Sequence, residues 1–205
     1  MVKSQPLRPS RRAIQAEQTR HDILQVARRH FAERGYAGTS LRAIASDAGV
    51  SVQTIYDSVG SKSDLVRSLN DLIDREAEVA AIAAEVGFVD DPHQLATVPA
   101  RITRTIIERC GDIVRAGIDA ARAEDELRGL VEEGSRRHRL GTTGLARRLD
   151  ALGALRDGLD IDAAAVTIGL VSDPRTALVM TDVYGLTPDQ VEEWITDAVR
   201  RLVLR

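Results

Sequence analysis

Behind Ser51, the residues Val52, Gln53, Thr54, Tyr56 and Asp57 are spaced so that a helix over 51–58 would turn them outward together, leaving Ile55 and Val59 to face a core. Those side-chain types suit the major groove of DNA. The Gln53 amide can donate and accept at the N6 and N7 edge of adenine, and Val52 offers methyl groups to the thymine methyl. The hydroxyls of Ser51, Thr54 and Ser58 can donate to phosphate oxygens. Lys62 falls at the start of a following helix, where backbone N–H groups and the helix dipole also favour an anion. Thr39 and Ser40 stand in the same relation to the helix before. For these serines and threonines, capping the helix and holding a phosphate are compatible roles.

Two short helices must position this set. Leu41, Ile44, Ala45 and Ala48 recur with the spacing of one helical face, Gly49 interrupts, and Val50, Ile55 and Val59 resume the pattern. Thr39 or Ser40 can cap the first helix and Ser51 the second by accepting a backbone N–H that lacks a partner. This is the layout of a helix-turn-helix, although spacing alone is shared by helix pairs in bundles that never meet DNA.

The wording narrows the choice. AIASDAGVSVQTIYDSVGSKSDL resembles the signature of the TetR/AcrR family of bacterial regulators, specifically over about Thr19 to Leu69. The resemblance implies an all-α fold, with an N-terminal three-helix helix-turn-helix domain followed by a C-terminal helical domain for ligand binding and dimerisation. It implies that Arg42, with Val52 and Gln53, contacts bases, the Arg42 fork suiting O6 and N7 of guanine. It also places Tyr56 in the slot whose phenol donates to a phosphate. Thr39, Ser40, Ser51, Thr54, Ser58 and Lys62 complete the expected phosphate set. The sequence departs from the commonest family form after Tyr56, where Ser58 and Val59 replace histidine and phenylalanine. Ser58 brings no ring charge, and Asp57 beside it repels phosphate. The grip per head is then weaker, or relies more on Arg42, the basic arm and dimer avidity.

Charge divides the chain in the same place. Residues 1–70 hold eleven Lys or Arg against six Asp or Glu, while 71–205 hold seventeen against twenty-five. A basic head on an acidic body suits a protein that touches DNA at one end. The expected divisions are a flexible basic arm over 1–12, a DNA-binding domain over 13–60, and an effector-binding and dimerisation domain over 61–205. One cysteine, Cys110, excludes an internal disulfide framework and fits a reducing cytoplasm. The first residues lack the apolar stretch of a secretory signal, and the longest uncharged apolar run, 163–172, is about half a bilayer span. A cytoplasmic protein with no membrane partner is expected. His21, His30, His93 and His138 show no metal-ligand spacing, and no glycine-rich loop follows a strand. Neither enzymatic activity, a metal nor a cofactor is expected.

The remaining pattern is helical throughout. Helix one is expected from Ala13 or Thr19 to Arg34. A capping box at Ser61–Asp64 opens a helix to about Val86, roughly 35–40 Å long at 1.5 Å per residue. Three helices follow over about 92–109, 112–121 and 124–153, with Gly111 as one break. Asp162 is expected to cap an all-round apolar helix over 163–171, and Thr187-Pro188-Asp189-Gln190 opens the last. By resemblance the middle helices enclose an effector cavity, with Ile106, Cys110, Ile113, Leu127 and Val131 on its walls. The closing helices form a homodimer interface through Ala164, Ala165, Ile168, Val171, Val191, Trp194, Ile195, Ala198 and Leu202. The implied partners are a palindromic double-stranded operator, a second copy, and an unidentified small molecule that releases the DNA. Two alternatives remain: a DNA-binding regulator without an effector, and a ligand-binding dimer without specific DNA binding.

Overall fold

The computed structural model describes residues 10–205; Lys3 and Arg8 of the expected basic arm lie outside them. Arg11 and Arg12, assigned to that arm by sequence, instead form the first turn of α1 (Arg11–Arg34), because Ser10 accepts the Ala13 N–H and caps it there. Helices α2 (Leu41–Asp47) and α3 (Val52–Ser58) begin on Ser40 and Ser51, which cap in the same way. Between them Gly49 takes a φ of 66°, a left-handed turn that glycine enters without strain. Ile23, Ala27 and Phe31 of α1, Ile44 and Ala45 of α2, and Ile55 of α3 bury together. The Ser61–Asp64 capping box starts α4 (Lys62–Asn70), and its Leu65, Val66 and Leu69 enter that same core. The head's core therefore runs beyond residue 60.

After α4 the expected long helix is broken into α5 (Ile73–Glu76), α6 (Val79–Ala84) and a 3₁₀ turn over Glu85–Gly87. Glu78 takes a φ of 53° at the break, left-handed for a residue with a Cβ. Arg109 supplies the compensation. Its Nη1 donates to the Glu76 carbonyl at 2.9 Å and to the Glu78 carboxylate at 2.8 Å, occupying an acceptor that a continuous helix would use internally. Arg28 of α1 reaches the same place, pairing with Glu76 at 2.9 Å and bidentately with Asp112 at 2.5 and 2.8 Å. With both carboxylates left facing each other, Arg28→Ala is expected to cost about 1–3 kcal/mol of unfolding free energy, between the values for exposed and for fully buried charge pairs. Denaturant titration checks this; a loss below about 0.5 kcal/mol would show that the cluster is merely a surface arrangement.

In the body, α7 (Pro92–Leu95) and α8 (Thr97–Ala123) are separated because Pro99 has no N–H to give the Leu95 carbonyl. Gly111 does not divide α8 as expected. It is buried within the continuous helix, where a Cβ would meet Leu178 Cδ2 at 3.7 Å, an ordinary contact. Glu124 turns extended and ends α8; α9 (Arg128–Ala151) follows a 3₁₀ turn. Asp160, rather than Asp162, caps α10 (Ile161–Val171). Asp173 and Pro174 open α11 (Pro174–Asp182), and the Thr187–Gln190 capping box opens α12 (Pro188–Val203). The stretch Ile161–Asp182 is long and apolar enough by composition to cross a membrane, but the break at Ser172–Asp173 splits it into two helices. Among the described residues the only β pairing is an isolated bridge between Leu155 and Leu204.

Candidate nucleic-acid interface and ligand cavity

The two helices after α1 hold the recognition residues on a stiff support. Ile55 is fully buried, which fixes the rotation of α3 and turns Ser51, Gln53, Tyr56 and Asp57 outward. Tyr56 is 51% exposed, so its phenol is free to meet a partner. Gln53 Nε2 donates to Asp57 Oδ1 at 2.8 Å, an i to i+4 bond that holds the amide in one orientation and occupies part of the Asp57 charge. Ser51 and Thr54 share a hydroxyl contact of 2.8 Å beside the Ser51 cap. Arg42 is exposed and makes no ion pair among the described residues. Val52 and Ser58 are half-buried at the two ends of α3, and Ser40 is exposed at the start of α2.

Two members of the expected phosphate set are committed elsewhere. Thr39 is 3% exposed, and its hydroxyl is directed at the carbonyls of His30 and Gly35, 3.0 and 2.8 Å away, so it closes the α1–α2 loop. Lys62 places its ammonium 4.1 Å from the centre of the Tyr36 ring, where burial lowers its pKa and Glu124 opposes that. Tyr36 itself donates to Glu124 at 2.6 Å, and burial with that bond pushes its phenol up to about 12. Ser63 donates to the other Glu124 oxygen, so Glu124 ties the end of α8 to the head.

Arg20 was not legible as a site residue. Its guanidinium donates to the Ser58 carbonyl and to Ser68 Oγ, each at 2.9 Å, bracing the C-terminus of α3 against α4. A positive charge there also suits the helix dipole. His30 is 3% exposed and lies between Arg34 and Asp47. Because Arg34 can only donate to Nδ1, Nε2 carries the proton and donates to Asp47 at 2.7 Å, joining α1 to α2.

A helix pair of this geometry, with this wording, has a family. Residues 23–69 match the family model described as bacterial regulatory proteins, tetR family. The head, over residues 23–69, is thus similar to the DNA-binding domain of that family. Over 78 residues it is 37% identical to the HTH-type transcriptional regulator TtgR of Pseudomonas putida, a match covering 38% of this chain and 37% of that protein. The aligned part is thus little more than a third of the relative's length. The fold extends the likeness over nearly the whole chain. NalD, the secondary repressor of the MexAB-OprM multidrug efflux pump in Pseudomonas aeruginosa, superposes with a TM-score of 0.73 at 20% identity, covering 94% of this chain and 98% of that one. SmeT in its triclosan complex gives 0.67 at 20% identity, over 92% of each chain. At such identities the structures share a fold.

In the body, α4 to α6, α8, α9 and the start of α11 line a partly open cavity of about 530 Å³, within the range of small-molecule sites. Of the five residues expected on its walls, Ile106 and Val131 are there. Cys110, Ile113 and Leu127 are not; they bury in the core that joins head to body. The reason is that α8 is apolar on more than one face, one toward the head and another toward the cavity. Burial, reinforced by Glu76, raises the Cys110 thiol to about 12, which leaves it an inert packing group. Gly117 and Gly134 border the cavity with no atom within 4 Å of where a Cβ would stand, so absent side chains supply part of the space. Each helical glycine costs about 1 kcal/mol relative to alanine, a penalty that packing does not explain here.

The expected interface residues also divide. Ala164, Ala165, Ile168, Val191 and Ile195 are buried in the protomer's own core, and Val171 and Ala198 are half-buried. Trp194 and Leu202 are exposed, as are Val166, Leu170, Val179, Val183 and Tyr184, which were not anticipated. Together they give α10 to α12 an uncovered apolar surface, with Leu170 at 67% exposure.

Proposed function

We propose that this protein is a DNA-binding transcriptional regulator that sits as a dimer on a palindromic operator, represses from there, and is released by a small molecule. The observation that carries this is the α3 face. Gln53 and Tyr56 stand exposed on a helix whose rotation is fixed by Ile55 and whose two ends are held by Ser51 and Arg20. Among the described residues, the side chains of Gln53 and Asp57 on that face bond only to each other. Arg42, Val52 and Gln53 read bases; Ser40, Ser51, Thr54, Tyr56 and Ser58 position the backbone. Lys62 and Thr39 act one layer back, by steadying the loops that carry these residues.

A single head spans a few base pairs, so specificity calls for two heads at fixed spacing, which a two-fold dimer supplies. The uncovered apolar surface of α10 to α12 is the place for the second copy, and the Glu124 contacts that tie α8 to the head would transmit its geometry. Support for an effector comes from the cavity and from the triclosan complex of SmeT, a protein of the same fold. A ligand with different affinities for two head separations shifts DNA binding by that difference.

Two substitutions test the assigned roles by equilibrium DNA binding. Tyr56→Phe is expected to weaken binding about tenfold or more on every sequence, since each of two heads loses a phosphate bond worth about 1 kcal/mol. Gln53→Ala should instead relax preference at one position of each half-site. Identical effects of the two across sequences would show that the roles are misassigned.

A further inference from the structure

The cavity's walls specify more than its volume. They contain no Phe, Tyr or Trp, so the large rings that build a stacking platform or a cation–π box are missing. Their charges come as neighbouring pairs. Arg137 pairs with Asp74, and Arg175 pairs with Asp173 at 2.6 Å. Burial alone would raise the Asp173 carboxyl, yet the side-chain and backbone bonds from Arg175 hold it below its ordinary value, so this pair stays ionised and mutually satisfied. A charged ligand would therefore enter without a counter-charge.

The hydrogen-bonding groups are equally one-sided. Apart from Ser135 on α9 and the Asn70 amide at the end of α4, they gather against the last turn of α10. Thr103 Oγ1 donates to the Ser172 carbonyl at 2.8 Å, Ser172 Oγ to the Ile168 carbonyl at 2.7 Å, and His138 Nε2 to the Gly169 carbonyl at 3.0 Å. Thr142 Oγ1 donates to Arg139 and lies 3.6 Å from the point where a Gly169 Cβ would stand. Each donor is spent on a backbone carbonyl. What remains are lone pairs on three hydroxyls and, in the neutral ring, on His138 Nδ1. Ser135, one turn away on α9, also reaches the wall with a hydroxyl that can donate.

We propose that the cavity takes an uncharged, mainly aliphatic molecule carrying a hydroxyl group, seated with that hydroxyl against Thr103, His138, Thr142 and Ser172. This rests on reading the cavity as the effector site. A hydroxyl gives a proton to the acceptor cluster and accepts one from Ser135. A carboxylate brings only acceptors, an ether brings no donor, and an ammonium finds no free carboxylate.

The test uses the full-length protein and four probes of equal chain length: 1-octanol, octyl methyl ether, octanoate and octyltrimethylammonium. Each is titrated by calorimetry, by thermal unfolding and by release from a selected operator. Octanol is expected to raise Tm and to bind about tenfold more tightly than the ether, the difference of one hydrogen bond, with both ions weaker still. Gly117→Leu, which fills the cavity from an open position on α8, should keep the fold and operator binding while removing the octanol shift. An ion binding more tightly than octanol overturns the ligand class, as does an ether that equals it or an undiminished shift in Gly117→Leu. Failure of all four probes to raise Tm also overturns it. If octanol binds as expected but leaves operator affinity unchanged, the ligand class stands and the effector reading falls.

Discussion

Leu170→Asp is expected to convert the dimer to monomers and to lower operator affinity by about 10²–10⁴-fold, the avidity that linking two heads supplies. Leu170 is 67% exposed on α10, so the substitution leaves the protomer's own core untouched. In a two-fold interface the same change appears twice, placing like charges in an apolar contact where each meets a desolvation penalty of several kcal/mol. Light scattering coupled to size exclusion reads the assembly state, and a gel-shift titration reads the DNA. A Leu170→Asp protein that remains dimeric with unchanged affinity would place the interface elsewhere. Ile168→Asp is the informative contrast, since Ile168 is fully buried within the protomer and its loss should unfold the body instead.

Arg42→Ala is expected to weaken binding to the cognate palindrome by about 2–6 kcal/mol, because a bidentate guanine contact is worth about 1–3 kcal/mol and the dimer makes it twice. On unrelated DNA the loss should be much smaller, about that of one phosphate-range charge per head. Titrations on both DNAs at one salt concentration separate the cases. Equal losses on the two would show that Arg42 serves the backbone and does not read a base. Arg42 carries this weight because its charge has no partner within the described residues, unlike Arg20 and Arg28, whose guanidiniums are consumed in bracing α3 and the junction.

Local chemistry was legible in the sequence wherever one side chain decides an end. Ser51, Ser61 and Thr187 cap the helices they were expected to cap, and Ser40 is the one of Thr39 and Ser40 that caps α2, since a hydroxyl followed by free N–H groups needs no tertiary partner to act. Where distant groups decide, sequence pattern failed. The break at Glu78 is met by Arg109, thirty-one residues away, and Gly111 lies buried in a continuous α8 near Leu178. The cavity and interface suffered from the same ambiguity. On helices apolar nearly all round, such as α8 and α10, periodicity cannot say which face meets which core. Cys110, Ile113 and Leu127 accordingly went to the head side, and Ala164 and Ile168 to the protomer's interior. The outward face of α3 was easier because polar side chains on a short amphipathic helix have only solvent or a ligand to face. Even there, Thr39 and Lys62 are drawn inward by His30, Gly35, Tyr36 and Glu124, partners that adjacent sequence does not reveal.

Selection of DNA from a random pool by the full-length protein tests the central claim most directly. Enrichment of a palindrome whose two half-sites face the major groove about one helical turn apart is expected, with affinity falling steeply as salt rises from 50 to 200 mM, since several phosphates are neutralised per head. Recovery of no enriched sequence, or of one whose binding is indifferent to salt, would contradict it.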